Sequence, residues 1–284
     1  MTKSAGIFYF SGTGNTRIVA HLFGKELENS GFKVETCEVE NILKGKNVDV
    51  TKYNIIGMGY PVHALNAPKI FFEFIKKLPS EDKKVFLFKT SGDPFMHGGP
   101  TTMVKNQLTK KGYHVFYEGL IVMPSNVLIR YNDNFVKQLY DAAVSKVEKM
   151  VQEILEGKKI LQQDDILQIF AYLFSGLEWL GAPFFGKDLK VLPRCNSCSK
   201  CVRNCPKNNI SEADGKIQFG WKCIMCMRCI HNCPVKAIEP RLYKFLVLKE
   251  YTIQGIIRDP TIKGDFITRD TKGYFKRFYT YLKE

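Results

Sequence analysis

The chain has 284 residues, 45% of them apolar, and 42 basic side chains against 28 acidic ones give a net charge of +14. That length predicts two domains or one large one, and 21 Phe with 13 Tyr are ample for a packed core, which excludes a disordered chain. Eight of the nine cysteines lie between Cys195 and Cys233, unlike the scattered cysteines of a small secreted disulfide protein.

The first half alternates strand and helix signals. Ile7 to Phe10 is a short apolar run that ends at Ser11-Gly12. Residues 15–29 follow with apolar positions at helical spacing: Ile18, Val19, Leu22, Phe23 and Leu27. Phe32 to Cys37 alternates like a strand. Tyr53 to Met58 reads as a buried strand closed by Gly59. Ala67 to Leu78 reads as a helix with Pro68 in its first turn. Val85 to Phe88 is a further buried strand. Residues 100–111 read as a helix whose end, Lys110-Lys111-Gly112, combines a basic last turn with a glycine stop. Tyr113 to Val122 is the fifth strand, and Asn134 to Glu156 a long helix stopped by Gly157.

Repeated β-α with near-continuous apolar strands predicts a doubly wound five-stranded parallel sheet with helices on both faces. Ligands in such sheets sit at the carboxyl ends of the strands, near a topological switch point. Three loops qualify: 11–16, 59–66 and 89–99.

Ile166 to Phe185 is strongly apolar and close to the ~20 residues that span a bilayer. Gln168 and Glu178 interrupt it, Gly176 and Gly181 weaken it, and Pro183 follows. A helix packed on one or both domains is favoured over one lying on a membrane surface, and a span is the least favoured. The tail, 241–284, is rich in Tyr, Phe and Lys and is expected to wrap the neighbouring domain. The expected division is 1–157, a connector 158–190, 191–240 and the tail.

The strongest signal is Cys195-x-x-Cys198-x-x-Cys201-x-x-x-Cys205-Pro206, repeated 28 residues later as Cys223, Cys226, Cys229 and Cys233-Pro234. Three thiolates at this spacing wrap one corner of a cube-shaped cluster, and the cysteine before proline ligates the other cluster. Cys195, Cys198, Cys201 and Cys233 are therefore assigned to one [4Fe–4S] cluster, and Cys223, Cys226, Cys229 and Cys205 to the second. A pair of zinc sites would more commonly use two separated C-x-x-C pairs. Ile210, Ile217, Ile224, Ile230, Val235 and Ile238 supply apolar cover. Residues 190–240 closely resemble the bacterial-type two-cluster ferredoxins, a small α+β domain. The resemblance implies one-electron transfer at low potential. Ferredoxins are usually acidic, yet residues 195–234 carry +4.

The second signal is Ser11-Gly12-Thr13-Gly14-Asn15-Thr16 after the first strand. The glycines admit close backbone approach, the hydroxyls and the amide are donors, and the helix start adds free N–H groups and a positive dipole end. Together these can hold a phosphate. A P-loop would need a Gly-Lys-Ser/Thr ending, and a dinucleotide site a glycine where Arg17 stands. The run strongly resembles the FMN-phosphate loop of flavodoxins, and that resemblance covers residues 4–157. It implies an isoalloxazine ring between Tyr60, Pro61, Val62 and His63 on one side and Thr90, Ser91, Gly92, Asp93, His97, Gly98 and Gly99 on the other. Tyr60 could stack on the ring or be a core aromatic. His63 and His97 could bond flavin edges or deliver protons, or be plain loop histidines.

The domain order resembles the flavodoxin–ferredoxin fusion proteins of anaerobic prokaryotes. It implies an electron-transfer protein with FMN and two [4Fe–4S] clusters that couples one-electron to two-electron steps and serves redox partner proteins. The alternative is an FMN-dependent reductase of a small molecule, fed by the clusters. No catalytic residue is assigned. The opening residues lack the long apolar run and cleavage site of a signal peptide, so a cytoplasmic setting is expected. The C-terminal basic excess reads either as a solvated face or as a docking patch for an anionic partner, an acidic redox protein being favoured over a membrane surface. No nucleic-acid motif accompanies it, so no nucleic acid is expected.

Overall fold

The computed structural model describes residues 3–95, 101–162, 167–247 and 253–283. Five strands form one parallel sheet: β1 (Ser4–Tyr9), β2 (Lys33–Glu38), β3 (Ile55–Pro61), β4 (Lys83–Ser91) and β5 (Tyr113–Val122), in the order β2-β1-β3-β4-β5. The central strands are buried on both faces, which is why their sequences are apolar without alternation. β2 is a half-exposed edge strand. The order reverses between β1 and β3, so the switch point opens above these two strands.

Four helices join the strands, α1 (Asn15–Asn29), α2 (Val39–Leu43), α3 (Lys69–Lys77) and α4 (Thr102–Thr109), and α5 (Asp133–Leu155) follows the last. Asn132 caps α5 by accepting the Asn134 N–H, and Gly157, at φ 74°, follows its end in the left-handed region. One core fills the face under α1 and α5, with Phe23, Phe86, Phe88 and Phe135 fully buried. The other fills the face under α3 and α4, around Phe8, Phe71 and Phe74.

Helix α6 (Leu167–Asp188) touches both halves of the chain. Trp179 stands edge-on to Phe72 of α3, with ring centroids 5.6 Å apart. At Gly186 a Cβ would collide with that of Cys223. The helix runs through Pro183 at the loss of one internal hydrogen bond.

The cysteine repeat is bracketed by β6 (Leu189–Val191), which pairs antiparallel with β9 (Ile238–Pro240). Between them lie the one-turn helices α7 (Lys200–Arg203) and α8 (Arg228–His231) and the hairpin of β7 (Ile210–Ala213) and β8 (Lys216–Phe219). The tail, with α9 (Ile253–Arg258) and α10 (Arg277–Lys283), returns to the large sheet and covers α5, where Ile253, Ile256, Phe278 and Tyr281 join the first core. Among the described residues no helix is long and apolar enough to cross a membrane.

Candidate functional site

A cavity of about 350 Å3 opens at the carboxyl ends of the sheet strands, within the size range of small-molecule sites. Ser11, Gly12, Thr13, Asn15 and Thr16 form one wall. The loop is held from several sides. The Gly14 N–H donates to Ser11 Oγ at 3.1 Å, the Asn15 amide to the Pro124 carbonyl at 2.7 Å, and the hydroxyls of Thr16 and Thr90 are 2.8 Å apart. Gly14 has φ 118°, a conformation that side chains resist, and it starts the 15-residue helix α1. Pro61, Val62 and His63 form a second wall, and Thr90, Ser91 and Gly92 a third.

The eight thiols of the repeat surround two separate small apolar hollows. Cys195, Cys198, Cys201 and Cys233 line one, with Val191, Ile217, Val235 and Ile238. Cys205, Cys223, Cys226 and Cys229 line the other, with Phe185, Ile210, Phe219 and Ile224. Soft sulfur donors in fours inside apolar shells suit iron–sulfur clusters, and the crossed partition is the one the 28-residue repeat predicts. Burial pushes the Cys226 thiol up to about 12 and the Cys223 thiol up to about 11, and raises that of Cys229 well above its ordinary value. Of the eight, Cys198 is the exposed one.

The second hollow abuts the phosphate-type loop. A Cβ on Gly12 would collide with the carbonyl oxygen of Cys226. Met225, Cys226 and Met227 line the large cavity themselves. Arg228, the next residue, reaches across the boundary. It donates to the carbonyls of Ser11 at 2.5 Å and Gly12 at 3.3 Å, and to that of Asn204 on its own side at 3.2 Å. By taking two loop carbonyls it ties the dicluster segment to the loop after β1.

Two family models match: residues 6–115 fit a flavodoxin domain and residues 187–234 a 4Fe-4S dicluster domain. The chain joins a flavodoxin domain to a 4Fe-4S dicluster domain. An uncharacterized protein of Methanocaldococcus jannaschii, MJ0298, is 27% identical over 104 residues, which are 37% of this chain and 64% of that protein. Oxidised flavodoxin 1 from Bacillus cereus is 15% identical over 54% of this chain and 98% of its own, with a TM-score of 0.41. A short-chain flavodoxin associated with a bacterial microcompartment is 19% identical over 55% and 98%, with a TM-score of 0.40. The two domains carry FMN and [4Fe–4S] clusters, and with them an electron-transfer role.

Two of the residues that the resemblance places beside the ring lie away from the cavity. Tyr60 does not line the cavity. It is buried against Phe71, ring centroids 4.7 Å apart, because its position on β3 points into the α3 face of the core. Asp93 does not line it either. Its carboxylate accepts from Tyr274 at 2.9 Å and Arg277 at 3.0 Å, so the tail has captured it. His97, Gly98 and Gly99 lie outside the described residues.

Four contributors were not expected. The loop after β5, Met123 to Leu128, forms part of the wall; Pro124-Ser125-Asn126 at the end of the fifth strand was a readable turn signal. Glu178 of α6 reaches the cavity and lies 3.5 Å from His63 Nδ1. Leu246 and the Met225–Met227 segment complete the enclosure from the dicluster side.

Proposed function

We propose that the protein relays electrons between redox partner proteins and an FMN held in the cavity, through the two clusters, and so joins one-electron to two-electron steps. FMN exchanges one or two electrons and each cluster one. The chain's own residues set where these groups lie. The loop 11–16 holds the phosphate through its N–H and hydroxyl groups, with Pro61, Val62 and His63 and Thr90 to Gly92 beside the ring. Cys223, Cys226, Cys229 and Cys205 hold the proximal cluster, and Cys195, Cys198, Cys201 and Cys233 the distal one. The carrying observation is that Cys226, a proposed ligand of the proximal cluster, is itself a wall of the flavodoxin cavity.

The distal cluster is the proposed port for a partner. Cys198 is exposed, and Arg194, Lys200, Arg203 and Lys236 are exposed around it. That surface suits an acidic redox protein. Anaerobic reconstitution with iron, sulfide and FMN is the test. One flavin and two clusters per chain support the relay, and a protein that holds clusters but takes up no flavin contradicts it.

A second reading, a reductase acting on a small molecule at the flavin, draws on one observation. His63 and Glu178 face the cavity as a paired acid and base. Turnover of an added acceptor that disappears in His63→Ala, with flavin still bound, would favour it.

A further inference from the structure

The outer face of α6 is apolar where a surface helix is ordinarily polar. Leu173, Leu177, Leu180 and Phe184 recur at helical spacing along one stripe and are 62%, 66%, 70% and 61% exposed. The opposite face is already used: Ser175, Ala182 and Phe185 are buried and Trp179 packs on Phe72. Among the described residues the stripe is therefore left over after both domains have been covered.

Its C-terminal end is aromatic and basic. Trp221, 59% exposed, stands edge-on to Phe184 with centroids 5.6 Å apart. The Lys187 ammonium lies 5.1 Å above the Trp221 ring. Lys222 follows Trp221, and the Arg241 N–H bonds the Asp188 carbonyl, which brings a further cation to the helix end. Both Lys222 and Arg241 are exposed. Leucine and phenylalanine beside tryptophan and a basic rim is the chemistry of a helix lying in a lipid headgroup layer.

We infer that α6 is an interfacial anchor that lays this protein on an anionic lipid surface. The stripe from Leu173 to Phe184 is about 16 Å long, roughly half the apolar thickness of a bilayer, so it lies flat and does not span. None of its four side chains offers a hydrogen bond, which suits acyl chains better than the polar rim of a protein partner. The cations at its end, on a chain of net charge +14, fix the sign of the lipid. The inner face of the same helix touches Cys223 and reaches the flavodoxin cavity through Glu178. Docking would hold the proposed proximal cluster about one helix diameter, ~10 Å, from the lipid.

The test is sedimentation of the anaerobic holoprotein with phosphatidylcholine vesicles, with and without phosphatidylglycerol, read beside Trp221 fluorescence. Binding to the anionic vesicles, with a blue shift that Trp221→Phe removes, is expected. Leu177→Glu with Leu180→Glu, both exposed and so harmless to folding, should weaken binding about tenfold or more. Lys187→Glu with Lys222→Glu should weaken it on anionic vesicles. Wild-type protein that stays in the supernatant with both lipids overturns the inference, as does equal pelleting by the leucine variant. A wild-type dimer that the leucine variant splits, without vesicle binding, would overturn it in favour of a second copy on the stripe.

Discussion

Arg228 of the dicluster domain and Glu40 of the flavodoxin domain form a buried ion pair, Nη2 to Oε1 at 2.5 Å. It is an ion pair rather than an aligned hydrogen bond, and Glu40 Oε2 has no donor among the described residues. Burial pushes the Glu40 carboxyl above its ordinary range and Arg228 pulls it back, while Glu40 in turn raises the Arg228 pKa. Removing one partner of such a pair strands the other. Arg228→Ala is expected to cost about 3–5 kcal/mol of stability, measured by urea unfolding. Arg228→Met with Glu40→Leu should recover most of that stability yet still bind FMN more weakly, because the Ser11 and Gly12 carbonyls lose their donor. Equal FMN affinity in the double variant would show that Arg228 serves packing alone.

Gly12→Ala places a methyl group against the Cys226 carbonyl. Both atoms belong to backbone held on two domains, so neither yields easily. The variant should lose FMN affinity and slow electron exchange between cluster and flavin, with its iron content unchanged. Fluorescence titration with FMN and an iron assay check this together.

The crossed ligand sets separate two cysteine variants. In Cys205→Ser, anaerobic alkylation should label Cys223, Cys226 and Cys229 and spare Cys195, Cys198 and Cys201. In Cys233→Ser the pattern should reverse. Peptide mass mapping reads it, and a pattern in which each variant exposes its own run of cysteines contradicts the crossing.

Cluster loading should release protons. Burial holds the Cys226 and Cys223 thiols at about 12 and about 11, so at neutral pH the apo protein carries them protonated, whereas the bound ligand is the thiolate. Loading that expels protons is favoured by rising pH and opposed by falling pH. A pH-stat trace that consumes base during reconstitution is the expected record; a flat trace contradicts it.

The tail should matter to the flavodoxin domain as a cover and as a clamp. Phe278 is fully buried against Tyr131 and Phe135, and Phe278→Ala should cost about 3–5 kcal/mol. Arg277→Ala should cost less stability but loosen the loop that Asp93 anchors, seen as faster amide exchange at residues 91–95.

Much of this was legible in the chain. The apolar runs at Ile7, Ile55, Val85 and Tyr113 mark strands because a parallel sheet buries both faces, and the 28-residue cysteine repeat carries its own crossed partition. Tyr60 was ambiguous because an aromatic at a strand end serves a core or a ligand equally well. The place of Asp93 is not legible in its own loop because its partners, Tyr274 and Arg277, lie some 180 positions away. In the sequence Arg228 is one more cation in a basic segment. Its role depends on α2, a five-residue helix too short to show a period, which presents Glu40.

Rapid photoreduction of the clusters in anaerobic holoprotein shows whether electrons pass between cluster and flavin within one chain. Flavin reduction at a rate independent of protein concentration, lost in Cys205→Ser, is expected. A rate that rises in proportion to protein concentration, or that survives Cys205→Ser unchanged, would contradict it.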